Sequence, residues 1–116
     1  MVKKKFKALD DLICCCDAKL LKSLGEPVRL EILRYLFING RSDVNSISKN
    51  LPQDRSVISR HLNYMQEAGI LTCEKEGRHM FYKIDANVFL NKLKTMTSQI
   101  KECISQCCSQ EKGDTY

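Results

Sequence analysis

The sequence predicts a mainly α-helical winged helix-turn-helix with a small β-hairpin, in the order α-α-α-α-β-β-α. Three observations predict it. Apolar residues step by three and four through most of the chain, the spacing of one helix face. Only about three residues join the third and fourth periodic segments, a link as short as a helix-turn-helix requires. After Gly69 the period changes to two on both sides of a charged stretch, which is the pattern of a hairpin, or wing.

Each element has its own signals. Phe6, Leu9, Ile13, Cys16 and Leu20 share one helical face, and Gly25 is expected to end that helix in a left-handed conformation. Glu26-Pro27 opens a second helix with proline at its first position. Leu30, Leu33, Leu36 and Phe37 are its expected buried stripe, and Asn39-Gly40 stops it. Asp43 caps a short third helix with Val44, Ile47 and Leu51 inward, and Pro52 breaks it. Asp54 caps a fourth, with Ile58, Leu62 and Met65 facing the core; Ala68-Gly69 closes it. Leu71 and Cys73 then alternate with polar neighbours, Glu74 to Arg78 reads as a charged turn around Gly77, and Met80 to Ile84 alternates again. Asp85 caps a last long helix whose seam is Phe89, Leu93, Met96, Ile100, Cys103 and Cys107.

Residues 1–8 form a basic arm carrying Lys3, Lys4, Lys5 and Lys7, residues 9–108 the DNA-binding and dimerisation domain, and residues 109–116 a tail without apolar spacing. The first and last helices carry heptad-like seams. A domain this small gains little from one core, so those two helices are expected to form a homodimer interface. The plainer alternative is that both stripes pack within one subunit.

Composition limits the functions available. The 116 residues carry 19 Lys plus Arg against 14 Asp plus Glu, a net charge of +5 that permits a nucleic-acid partner without requiring one. No apolar run of roughly 18 residues is available to span a membrane, and no apolar stretch follows the basic start as a secretion signal would. The expected location is therefore the reducing cytoplasm, where the seven cysteines are thiols, ligands or redox groups rather than a disulfide scaffold.

On the fourth helix, Arg55, Ser56, Ser59, Arg60 and Asn63 lie opposite the apolar stripe and suit the major groove of double-stranded DNA. Arginine can bond guanine in bidentate fashion, while serine and asparagine reach base edges or phosphates. Gln53, just before the helix, is placed to reach a phosphate. His61 adjoins the apolar stripe and suits helix packing or a phosphate better than a metal. Lys75, Arg78 and His79 on the wing would act electrostatically on the DNA backbone or minor groove, with Glu74 and Glu76 diluting them. The alternative is a solvated surface helix, which the short turn and the hairpin disfavour.

The runs LKSLGEPVRLEILRYL, SVISRHLNYMQEAGIL and KEGRHMFYKID, across residues 18–85, resemble the ArsR/SmtB family of winged-helix repressors. The most specific piece runs from Ser56 through Ser59, His61, Leu62, Met65 and Ala68 to Gly69-Ile70. Gly77-Arg78 with Tyr82 agrees with the family's wing, whereas Glu26 stands where the family usually has Asp. The resemblance implies a homodimeric repressor, not an enzyme, that releases operator DNA when a metal, metalloid or oxidant occupies a site.

Two metal sites known in that family are absent. One uses cysteines on the third helix, where this chain has Asp43, Asn45 and Ser48. The other needs histidine on the last helix, and no histidine follows Asp85. What remains is sulfur: Cys14, Cys15 and Cys16 on the first helix, and Cys103, Cys107 and Cys108 on the last. Cys103 and Cys107 share a face. Three consecutive cysteines point about 100° apart in turn, so a closed site needs thiols from a second helix. Soft thiolates select arsenite, cadmium, lead or copper(I) as inducer; the same thiols could instead form a disulfide or polysulfide. The plain alternative, core packing, suits Cys16, Cys103 and Cys107 on the seams but not the other three. Cys73 reads as a small apolar strand residue. A thiol enzyme or metal buffer is a weaker reading, because no Cys-x-x-Cys is present and no histidine neighbours the clusters.

Overall fold

Local capping devices set the helix boundaries in the computed structural model, which describes residues 18–107, Cys107 by its backbone alone. The basic arm, the part of the first helical face from Phe6 to Cys16, Cys14, Cys15, Cys108 and the tail all lie outside the described residues. Residues 18–89 form one compact unit, and residues 90–107 belong to a second.

The elements are α1 (Ala18–Leu24), α2 (Pro27–Asn39), β1 (Ser42–Asp43), α3 (Val44–Lys49), α4 (Arg55–Glu67), β2 (Leu71–Glu76), β3 (His79–Ile84) and α5 (Ala86–Cys107). At the start of α2, the Glu26 carboxylate accepts from the Val28 N–H at 2.9 Å, so glutamate fills the capping role despite its longer side chain. The Asp43 carboxylate accepts from the Ser46 N–H at 3.2 Å and starts α3. Asp54 is the N-cap of α4, but its side chain makes no cap bond. It starts the helix through its carbonyl, which accepts from the Ile58 N–H at 3.0 Å, and its charge favours the positive helix end. At the end of α4, Ile70 N–H bonds the Met65 carbonyl and Gly69 N–H bonds that of Gln66. Gly69 has φ 84, so this is a Schellman stop of the kind that favours glycine.

Four expectations need correction. Gly25 is not left-handed: glycine φ values are positive only at Gly40, Gly69 and Gly77 among the described residues. A side chain there would instead press on the Leu21 carbonyl at 3.3 Å. The buried side of α2 is Ile32, Leu33 and Leu36, while Leu30 is exposed and Phe37 is 64% exposed. At about 100° per residue, positions 30 and 37 fall roughly a quarter-turn from the centre of the buried arc. A third strand was not expected: β1 pairs with β3 through Ser42↔Tyr82 and Asp43↔Phe81, giving the antiparallel order β1-β3-β2. Two residues are too few for any period to show. The charged turn is also narrower than expected, because β2 and β3 pair out to Glu76↔His79 and leave only Gly77-Arg78. Gly77, with φ 61, occupies the first central position, as a two-residue hairpin of type II′ favours.

The core lies where α1, α2, α3 and α4 meet the sheet: Leu20, Ile32, Ile47, Ile58, Leu62, Met65 and Ile70 are fully buried. This core turns the apolar side of α4 inward and leaves its polar side outward. No helix among the described residues is long and apolar enough to cross a membrane.

Candidate nucleic-acid interface

Burial of one side of α4 fixes what the other side presents. Ser56, Ser59, Arg60 and Asn63 stand at i, i+3, i+4 and i+7, a single stripe opposite Ile58, Leu62 and Met65. Arg55, Ser56, Arg60 and Asn63 are exposed and Ser59 is half-buried. Neither Arg55 nor Arg60 has an acidic partner among the described residues, so both cations are available to an anion. Gln53 is half-buried before the helix, and its amide oxygen is buried without a hydrogen-bond partner. Its NH2 remains as the group able to donate to a phosphate.

His61 separates from this stripe. Arg29 of α2 donates from Nε to His61 Nδ1 at 3.1 Å and from a terminal nitrogen to the Lys22 carbonyl at 3.2 Å. The same guanidinium stacks over the Tyr64 ring at 3.9 Å. Lys19 of α1 bonds Glu67 at 2.6 Å. One arginine, which the sequence does not single out, therefore ties α1, α2 and α4 together. Burial holds the His61 pKa below its ordinary 6.5, and Arg29 and Arg60 add to that while Glu26 opposes it. The imidazole is neutral at pH 7 and accepts from Arg29. The unfolded chain takes up this proton below about pH 6.5 while the folded chain resists it, so stability falls as pH drops through that window. The melting temperature is expected to fall more steeply between pH 7 and 5.5 in the wild type than in His61→Gln. Parallel curves would contradict this.

On the wing, Arg41 bonds Glu76 at 2.6 Å, approaches Glu74 to 3.7 Å and stacks on Phe81 at 4.1 Å. The two acids expected to dilute the wing thus share one guanidinium, which offsets one of their two charges. His79 sits 3.5 Å from Asp43, tied towards the α3 cap rather than to the tip. Lys75 and Arg78 are exposed without acidic partners among the described residues. Strand alternation puts Lys75 on the face shared by Cys73 and Tyr82, opposite Glu74 and Glu76.

That face meets α4. Tyr82, only 2% exposed, donates its hydroxyl to Asn63 Oδ1 at 3.1 Å. Burial, with the Cys73 thiol beside it across the strands, pushes the Tyr82 phenol up to about 12, so it keeps its proton. Sequence periodicity could not reveal this bond, because it depends on which strand lies against α4.

The cysteines divide differently. Cys73 is half-buried on β2, as expected of a small strand residue, and Cys103 is buried on α5. Cys107 lies in α5, while Cys14, Cys15, Cys16 and Cys108 lie outside the described residues. Among the described residues no group of three or more His, Cys, Asp or Glu could hold a metal.

Residues 26–72 match the family described as "Bacterial regulatory protein, arsR family". Over 67 residues the chain is 42% identical to an uncharacterized HTH-type transcriptional regulator of Methanocaldococcus jannaschii, covering 58% of this chain and 75% of that protein. It is 30% identical over 83 residues to the transcriptional repressor PagR of Bacillus anthracis, covering 72% of this chain and 78% of PagR. A solved structure described as a possible transcriptional regulator for arsenical resistance superposes with TM-score 0.62 at 32% identity, over 71% of this chain and 83% of that one. The superposed structure shares this fold.

Proposed function

Since the chain belongs to the ArsR family of transcriptional regulators, we propose that it is a cytoplasmic, homodimeric repressor that binds operator DNA through α4 and the wing. One observation carries this reading: the core-facing side of α4 is fully buried, while the opposite stripe presents Ser56, Ser59, Arg60 and Asn63, with Arg55 exposed at the first position of the helix. Arg55 and Arg60 bond guanine edges or phosphates, the serines and Asn63 bond base edges, and Lys75, Arg78 and the Gln53 NH2 hold the backbone. His61 acts beneath this surface by fixing α4 to Arg29.

Release is triggered at the thiols. Cys14, Cys15 and Cys16, with Cys103, Cys107 and Cys108, bind arsenite or another soft metal ion that bridges the two ends of the chain. Two things support this: six of the seven cysteines fall on those segments, and the sequence positions of the family's other sites hold no suitable ligands. A thousandfold loss of operator affinity needs only about 4 kcal/mol of preference for the released state, which several metal–thiolate bonds can supply. The second reading keeps the same repressor but lets the thiols form a disulfide or polysulfide.

The test uses duplexes selected from a randomised pool and fluorescence anisotropy. Arsenite, cadmium, lead and persulfide are added to the reduced protein and to two serine variants, one at Cys14 to Cys16 and one at Cys103, Cys107 and Cys108. Release by arsenite that either variant abolishes supports the first reading. Release by persulfide alone supports the second. If neither variant blunts any response, thiol sensing is wrong.

A further inference from the structure

Asn63 is exposed on the reading stripe of α4, yet its amide does not rotate freely. Its Oδ1 accepts from Tyr82, whose side chain is buried and whose backbone is fixed on the central strand between β1 and β2. Cross-strand pairs hold Tyr82 on both sides, Ser42 on β1 and Cys73 on β2. The oxygen side of the amide is thus turned towards the wing. The Nδ2 side has no protein partner among the described residues and carries two hydrogens.

This orientation matters for base recognition. A free asparagine reads adenine by using both ends of its amide: it donates to N7 and accepts from the N6 amino group. An asparagine whose oxygen is engaged and turned towards the wing side points its two donors outward and keeps only one lone pair, facing away from the groove. Donors alone suit guanine N7 and O6, which are both acceptors, and oppose the cytosine amino group.

We infer that Tyr82 is a positioning residue for sequence specificity: it holds the Asn63 amide with NH2 outward, so that Asn63 reads an acceptor-rich edge, guanine, rather than adenine. The inference rests on the DNA-binding reading above and adds to it a base class and a residue that never touches DNA. The phenol keeps its proton across physiological pH, so the donor this bond needs is not lost to titration.

Selection from a randomised duplex pool, followed by affinity measurements at single-base variants of the selected site, provides the test. Wild type is expected to show one guanine position per half-site that Asn63→Ala relaxes by about tenfold. Tyr82→Phe removes only the hydroxyl, and it is expected to shift that position towards adenine while leaving the salt dependence of binding unchanged. A residue that merely supported the fold would weaken all positions alike. Asn63→Asp keeps the acceptor for Tyr82 but removes the donors, at an exposed site that does not threaten folding; it is expected to reject guanine and accept cytosine. In the double variant Tyr82→Phe with Asn63→Ala, the loss at this position should equal that of Asn63→Ala alone. Retention of the wild-type preference in Asn63→Asp, or in a folded Tyr82→Phe, overturns the inference. Wild-type protein that selects no sequence from the pool overturns the DNA-binding reading itself, a result distinct from either.

Discussion

Replacing Arg55 and Arg60 together by glutamate is expected to lower affinity for duplex DNA by at least about a hundredfold, with the melting temperature unchanged. Both residues are exposed, Arg60 on the outward stripe of α4 and Arg55 at the first position of the helix, and neither is paired with an acid among the described residues. Neither makes a hydrogen bond or ion pair that holds the fold together among the described residues, although Arg60 adds to the lowering of the His61 pKa. A phosphate contact releases condensed counterions, so each lost contact also flattens the salt dependence. The slope of log affinity against log salt should fall in magnitude by about two for each protomer bound. Glutamine replacements made singly separate the two roles available to arginine. A residue that only touches phosphate weakens all sequences alike, whereas one that bonds guanine also relaxes the preference at one position. The competing possibility is that the arginines form a solvated face. In that case double reversal changes affinity by only a few-fold, and α4 does not enter the groove.

Much of this surface is legible in the sequence because α4 is strongly amphipathic. Ile58, Leu62 and Met65 announce the buried side, and the polar stripe follows by elimination. Start and stop signals are equally local at Glu26-Pro27, Asp43 and Gly69, so those boundaries are readable as well. What sequence cannot show is contact at a distance. Arg29 lies 32 positions from His61 and Tyr82 lies 19 positions from Asn63. Both links depend on packing that no local period encodes. For the same reason β1 is invisible: Ser42 and Asp43 become a strand only because β3 lies beside them. In α2 the apolar residues outnumber the places inside, and period alone cannot tell Leu33, which is buried, from Phe37, which is not. His61 shows a fourth difficulty. It sits within the family's recognition pattern, and its Nδ1 accepts from Arg29 of α2, a contact the pattern does not announce.

Leu62→Ala is expected to destabilise the protein more than any substitution on the reading surface. Leu62 is 0% exposed and lies on α4 between His61 and Asn63. Its helix packs against α1, α2, α3 and β2, so a cavity there is walled by several elements that cannot all collapse into it. Truncating a buried leucine costs about 2–5 kcal/mol through lost transfer energy and the remaining void. A small domain has only about 5–15 kcal/mol of stability in total, so this single change removes a large share of it. Urea unfolding should show a lower midpoint with the slope unchanged. Leu62→Met keeps most of the volume and is expected to cost less than about 1.5 kcal/mol. A small effect of Leu62→Ala would mean that α4 is not held by its apolar side, and the outward stripe would then lose its fixed direction. The functional consequence differs from that of the arginine reversal. At a temperature where Leu62→Ala is still folded, Arg55, Arg60, Asn63 and Tyr82 are all present, so its base preferences should match the wild type even though its active fraction falls on warming. Loss of preference in the folded variant would show that α4 must be braced by the core to read at all.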